Sequence, residues 1–161
     1  MPTLRRYRAS DWDAFLALDI ETGNNTLRYA SEAERETFRA RWPEVLRDRY
    51  GWTDEGPTAD HAELWVLDEE GDYAGHLWLS EQVDVLTGVR RLWITTMAIA
   101  APYRSRGWAR MLMDHGEKQA EARGLQGLGL SVDADNVVAR KLYEELGFET
   151  VRLRMVKTRK A

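Results

Sequence analysis

The sequence predicts a mixed α/β fold in which an antiparallel meander of strands feeds a crossover helix. Three observations carry this. Apolar residues alternate with period two over short stretches from Leu64 onward. Apolar residues recur at helical spacing around Leu112 and around Leu142. Glycines at 71, 88, 124 and 147 punctuate these stretches where turns and helix ends are needed.

In chain order, Thr3–Tyr7 reads as a first strand, and Ser10 as the start of a helix with Asp13 at its capping-box position. Glu21–Asn25 is a turn cluster. Ser31 and Glu34 form a second capping box opening a helix to about Trp42, which Pro43 interrupts. Gly51–Asp60 reads as loop, and Gly56-Pro57 as breakers within it. Leu64–Leu67 and Tyr73–Leu79 form a hairpin about Glu69–Asp72, and a third strand spans about Arg90 to Ile99. A helix starts near Gly107 with Ala109, Leu112, Met113, Gly116 and Ala120 inward, and Gly124 stops it. Leu128, Leu130 and Val132 alternate as a strand. Asn136 opens a last helix ended by Gly147, and Phe148–Val156 alternates as a final strand. One domain over residues 1–161 is expected from this length.

Composition narrows the function classes. A chain with 43% apolar and 31% charged residues is globular in type. With no cysteine it has neither disulfides nor thiolate chemistry, which suits the cytoplasm. The N-terminus lacks the apolar run of a signal peptide, and no stretch reaches the roughly 20 apolar residues of a membrane span. A net charge of −4 argues against nucleic acid as partner. Arg152, Arg154, Lys157, Arg159 and Lys160 read as a solvated basic edge. The seven tryptophans read mainly as packing anchors. No pair of the three histidines has metal-ligand spacing, so no metal is expected.

The stretch from Ile99 to Ala109 is the informative one. A strand ends, a basic loop follows, and a helix begins at once. The first amides of a helix have no intrahelical acceptor and lie at the positive end of its dipole. A pyrophosphate fits such a place, and Gly107 and Ala109 permit its close approach while Arg104 and Arg106 add charge. These features fit a phosphate-bearing ligand without naming it, and taken alone they fit an ordinary strand-to-helix turn with surface arginines equally well.

Arg104-x-x-Gly107-x-Ala109 resembles the acyl-coenzyme A motif of the GNAT superfamily of N-acetyltransferases. Asn136-x-x-Ala139-x-x-Leu142-Tyr143-x-x-x-Gly147-Phe148 resembles the second hallmark of that superfamily, in the proper order. The match is close over about residues 90 to 150. The resemblance implies a mostly antiparallel central sheet flanked by helices on both faces, acetyl-CoA as cosubstrate, and transfer of acetyl to an amine by direct attack. It further implies that the main chain of Met97, Ala98 and Ile99 pairs with the pantetheine arm. Amides of Ser105, Arg106, Gly107, Trp108, Ala109 and Arg110 would hold the pyrophosphate, Arg104 would orient that loop, Asn136 would hydrogen-bond the cofactor, and Tyr143 would protonate the leaving thiolate.

The general base stays open. Ser131 stands where some relatives carry a glutamate, and Leu92–Met97 offers no acid. Glu81 and Asp84 are the nearest acids in sequence, each also readable as a solvated loop charge. His76 falls in a strand, facing either the cleft or the interior, while His115 reads as surface or boundary and His61 as exposed. Asp19, Glu21, Asn24, Asn25, Trp42 and Asp84 lie in the segments expected to bound a small-molecule or peptide amine acceptor, and read equally as ordinary helix surface. Three alternatives remain open: another acyl group, a non-catalytic acyl-CoA-binding module, and a nucleotide-binding domain, the last lacking the phosphate-loop motif. A homodimer and a monomer are both compatible with the sequence.

Overall fold

The structure is a computed structural model and describes residues 1–157 and 159. The chain divides into two compact units, residues Met1–Leu130 and Ser131–Ala161. In the first, β1 (Thr3–Arg6) is followed by α1 (Trp12–Thr26), α2 (Glu32–Tyr50), β2 (Glu63–Glu69), β3 (Asp72–Val83), β4 (Arg90–Ile99), α3 (Trp108–Ala122) and β5 (Leu128–Leu130). The second contains α4 (Val137–Glu145).

The five strands lie in the order β1-β2-β3-β4-β5 among the described residues. All pairs are antiparallel except β4 with β5. Side-chain alternation gives the sheet two different faces. On one, Leu64, Val66 and Trp78 pack with Tyr7, with Phe15 of α1 and with Leu46 of α2. Trp12, Trp42, Tyr50 and Trp52 ring this cluster, so four of the seven tryptophans belong to it as expected. On the other face, Leu77 approaches Gly116 of α3, and the buried stripe of α3 is Leu112, Met113, Gly116 and Ala120. Helices thus cover both faces. No helix among the described residues is long and apolar enough to cross a membrane.

Several element boundaries differ from expectation. The helix from Ser31 passes through Pro43 and runs to Tyr50. Proline inside a helix costs about 3 kcal/mol, but Trp42 and Leu46 on either side both pack into the aromatic cluster, and ending the helix would withdraw them. The Glu21–Asn25 segment is helical and not a turn. Gly23 stands there because a Cβ would come within 2.4 Å of the Phe38 ring where α1 meets α2. The cap of the first helix also differs. Asp11 and not Ser10 precedes α1, and its carboxylate accepts from the Arg8 amide at 2.8 Å. Arg5 clamps the same carboxylate at 2.7 and 2.8 Å. Burial opposes ionisation of Asp11, and the Arg5 and Arg8 donors outweigh it, holding its pKa below the ordinary carboxylate value. The strand from Leu128 ends at Leu130, short of Val132. Phe148–Val156 forms no strand: these residues have no ladder partner, and Val151, Leu153, Met155 and Val156 are exposed. Alternation alone does not supply a neighbouring edge. Lys160 of the basic tail lies outside the described residues.

Gly75 fixes how closely β3 and β4 approach. A Cβ there would lie 2.4 Å from the Ala98 carbonyl oxygen, a backbone atom that cannot turn aside. Gly75→Ala should therefore destabilise the protein by about 1–3 kcal/mol. Thermal denaturation should show a Tm lower by roughly 2–4 °C for each kcal/mol.

Candidate active site

Strand β4 is paired on both sides for only part of its length. β3 accompanies it from Arg90 to Ile99, whereas β5 pairs only with Leu92, Trp93 and Ile94. A bulge falls at the point where β5 stops. Trp78 faces Thr96 and Leu79 faces Ile94, so Thr95 is the extra residue. From Thr95 to Ile99 the outer edge of β4 has no strand beside it among the described residues, and Met97, Ala98 and Ile99 lie on this edge. Their N–H and C=O groups alternate in direction along such an edge.

The open edge leads into the loop. A short 3-10 turn, Ala101–Tyr103, follows Ile99. Arg104 folds back, donating from Nε to the Ile99 carbonyl at 2.9 Å and from Nη2 to Glu21 Oε1 of α1 at 2.9 Å. Ser105 and Gly107 then take positive φ angles of 62° and 78°. Such angles turn successive amides toward one side. No side chain caps the N-terminus of α3, and a Cβ on Gly107 would meet nothing within 4 Å. The Trp108 ring stacks on Tyr103 with centroids 5.6 Å apart, and the Arg106 guanidinium lies 5.2 Å from the Trp108 ring. Arg106 also donates to the Pro102 carbonyl at 2.9 Å. Ser105, Arg106, Gly107 and Arg110 are exposed, and Ala109 is half-buried. Residues 97–99 and 104–110 are therefore contiguous, one open strand edge ending at one uncapped helix start.

In the second unit, Asn136 Oδ1 caps α4 by accepting from the Ala139 amide at 3.3 Å. Its Nδ2 hydrogens take no part in that bond. Tyr143 lies one helical face along, its ring 5.9 Å from that of Phe148. Gly147, at φ 88°, closes the helix, and the Phe148 amide donates back to the Tyr143 carbonyl at 2.9 Å. Burial raises the Tyr143 pKa above the ordinary phenol value, so the hydroxyl keeps its proton through neutral pH.

The acids weighed as bases have other engagements. Glu81 pairs with Arg90 and, at 3.2 Å, with Arg123. Asp84 Oδ1 accepts from the Leu86 and Thr87 amides at 2.9 and 3.0 Å, which shapes the loop before β4. Ser131 is exposed. His115 is half-buried against the Trp65 ring at 4.3 Å, and burial lowers its pKa.

His76 takes the interior of its two readings, and Asp19 is buried with it. Trp42 Nε1 donates to Asp19 Oδ2 at 2.7 Å, and His76 contacts Tyr73 Oη and Thr96 Oγ1 at 3.0 and 3.1 Å. The surface reading of Asp19 is thereby corrected: its position in α1 turns it to the sheet, beside Phe15 and Leu18 in the buried set of that helix. The available signal was the helical spacing of Asp19 with Phe15, which carries an acid onto the apolar face.

Residues 27–148 match the acetyltransferase (GNAT) family. The chain belongs to this family of acyltransferases. It is 32% identical over 103 residues to the uncharacterized N-acetyltransferase YycN of Bacillus subtilis, a match spanning 63% of this chain and 65% of YycN. A solved structure from Pyrococcus furiosus superposes with a TM-score of 0.79 at 24% identity, covering 98% of this chain and 99% of that one. The aminoglycoside N-acetyltransferase AAC(6')-Iy, solved in complex with CoA, superposes with a TM-score of 0.64 at 17% identity, covering 99% of each chain. At these identities the two structural likenesses are of fold.

Asn136 is expected to serve α4 as well as any ligand. Asn136→Ala should fray the first turn of α4, losing about 1 kcal/mol of local stability, whereas Asn136→Ser should retain it. Hydrogen exchange at the Val137–Ala139 amides measures the difference.

Proposed function

We propose that this GNAT protein transfers the acetyl group of acetyl-CoA to a primary amine by direct attack with both substrates bound. The observation that carries the reading is the open edge of β4 running into the uncapped start of α3 through Arg104-x-x-Gly107-x-Ala109. These residues fit the cosubstrate. The amides from Ser105 to Arg110 suit a pyrophosphate, since they gather at a helix N-terminus with Gly107 open to close approach. The polar groups of Met97, Ala98 and Ile99 suit the amide-bearing pantetheine arm, which would lie beside β4 as a strand would. Arg104 is tied to Ile99 and Glu21, which supports an orienting role for it over a phosphate contact. The Nδ2 hydrogens of Asn136 are assigned to the cofactor.

Acyl transfer then needs three things. The amine must be neutral, although an alkylammonium has a pKa of about 10.4. The carbonyl oxygen must be stabilised as it becomes an oxyanion, and a β4 amide suits that place. The departing thiolate, with a thiol pKa of about 8.5, must receive a proton. Tyr143 is assigned as its donor, because burial keeps the phenol protonated. The CoA complex of AAC(6')-Iy, a fold relative acting on an aminoglycoside, supports both the cosubstrate and an amine acceptor.

Calorimetric titration with acetyl-CoA, against adenosine diphosphate as control, tests the cosubstrate. Saturable binding that requires the pantetheine arm is expected. Absence of binding to folded protein would remove the reading. Screening amines by thiol release then separates an enzyme from a binding module, which would hold acetyl-CoA and release no thiol with any amine.

Two substitutions test the roles. Gly107→Glu should weaken acetyl-CoA binding most, by bulk and charge repulsion at the phosphates, and unchanged affinity would discard the phosphate site. Tyr143→Phe should lower kcat by about 10²-fold with acetyl-CoA affinity unchanged. Because the Tyr143 pKa is raised, loss of its proton should not depress kcat below about pH 10. A wild-type limb falling at lower pH, absent in Tyr143→Phe, would contradict the assignment.

A further inference from the structure

A carboxylate and an imidazole lie together in the aromatic core of residues 1–130. Asp19 is 2% exposed and His76 0%. Burying such groups is unfavourable unless each finds partners. Asp19 Oδ2 has Trp42, but Asp19 Oδ1 has no hydrogen-bond partner and lies 3.5 Å from His76 Nε2. On the sheet, His76 Nε2 is 3.1 Å from Thr96 Oγ1 of β4, and His76 Nδ1 is 3.0 Å from Tyr73 Oη.

These contacts select one tautomer of His76. A carboxylate only accepts, so the ring nitrogen beside it carries the hydrogen. Nε2–H then donates to Thr96 Oγ1, with Asp19 Oδ1 3.5 Å from the same nitrogen. The bare Nδ1 accepts the Tyr73 hydroxyl, which burial keeps protonated. The opposite tautomer would set the Nε2 lone pair against Asp19 Oδ1.

The consequence falls on Thr96. Its oxygen receives an N–H from the β3 side, so its own hydrogen turns away from β3. On that side of β4 lies the open edge, which begins at Thr95 where β5 has let go. An arm laid along that edge from the start of α3 passes Ile99 first and is stopped by β5 at Ile94. Thr95–Ile99 is five residues, about 17 Å of strand, a length suited to pantetheine. The tip of the arm therefore comes to Thr95 and Thr96.

We infer that Asp19 and His76 are positioning residues that fix the Thr96 hydroxyl as a hydrogen-bond donor to the acyl carbonyl oxygen, making Thr96 a catalytic residue. The inference rests on the acetyl-CoA reading and adds a side-chain donor to it. As the amine attacks, the C=O π pair moves to oxygen, and the Thr96 O–H···O bond strengthens while the proton stays on Thr96. The carbonyl re-forms as the C–S bond breaks, the thiolate takes the Tyr143 proton, and the proton that the attacking nitrogen gives up passes through solvent to restore the phenol. Asp19 acts at a distance, by holding the tautomer, as a carboxylate does behind a catalytic histidine.

The test uses protein labelled with ¹⁵N at its three histidines, His76 being assigned by loss of its signals in His76→Gln. Free protein should show the Nε2–H tautomer. Acetyl-CoA should move the Nε2 resonance beyond the effect of CoA, which lacks the acyl oxygen. Thr96→Val, a β-branched isostere suited to a strand, should abolish that difference while acetyl-CoA affinity by calorimetry is unchanged, and Thr96→Ser should restore it. With an amine found by thiol release, Thr96→Val should lower kcat by about 10²-fold, and Thr96→Ser should recover most of this. An Nδ1–H tautomer, identical responses to CoA and acetyl-CoA, or an acetyl-specific response surviving in Thr96→Val each overturns the inference and leaves the cosubstrate reading standing. Failure of the wild type to bind either compound withdraws both.

Discussion

Everything in the proposed site depends on where β5 releases β4. A central strand needs neighbours on both sides to satisfy its main chain, yet a strand-like ligand needs one of those sides free. The protein meets both demands within ten residues. β5 holds Leu92–Ile94, where Gly129 lets its backbone close on the Trp93 ring, to which a Cβ would come within 2.5 Å. The bulge at Thr95 marks the change, and among the described residues Thr95–Ile99 has only β3 as a strand neighbour. The loop from Ala101 to Gly107 then delivers the start of α3 to the far end of that open stretch.

The two faces of the sheet support this edge in different ways. Behind it, the small residues Gly116 and Ala120 let α3 lie close over Leu77 and its neighbours, a dry aliphatic contact. In front, the Phe15 ring sits 4.6 Å from that of Trp52 and 5.0 Å from that of His76, in tilted contacts. An apolar cluster of this density excludes water, which strengthens the electrostatic coupling between Asp19 and His76. The ion pair of Arg104 with Glu21 joins the loop to the same helix that carries Asp19, although it is exposed and contributes little stability.

Much of this was legible in the sequence. The bounds of β4, the inward stripe of α3, the glycine stop at 124 and the cap at Asn136 all follow from local rules of period and capping. The loop was legible through the Arg104–Ala109 motif, and the α4 segment through the Asn136–Phe148 motif, each of which lies within a short stretch of sequence. Long-range packing overrode other signals. Pro43 and Gly23 are breakers by propensity, and both lie inside helices because Leu46, Trp42 and Phe38 make tertiary contacts that repay the local penalty. Phe148–Val156 has strand alternation but no ladder partner among the described residues. His76 and Asp19 are 57 residues apart in number (76 − 19), so their meeting rests on the packing of α1 over β3, which no local pattern encodes.

The pairing of β1 bears on the order in which the protein can assemble. Thr3 faces Asp68 and Arg6 faces Trp65, with both long helices between the two strands in the chain. β1 therefore has no partner until β2 has emerged, and α1 and α2 must wait for the same strand to complete the cluster at Leu64 and Val66. From β2 to β4 each strand is laid beside its immediate predecessor through a short connection, and β5 returns beside β4 after the α3 crossover. Nascent chains cut off before Glu63 would hold the α1 and α2 segments and an unpaired strand, whereas those reaching Ile99 hold four strands and the whole front of the core. Non-local closure of this kind slows folding relative to a helical bundle of equal size.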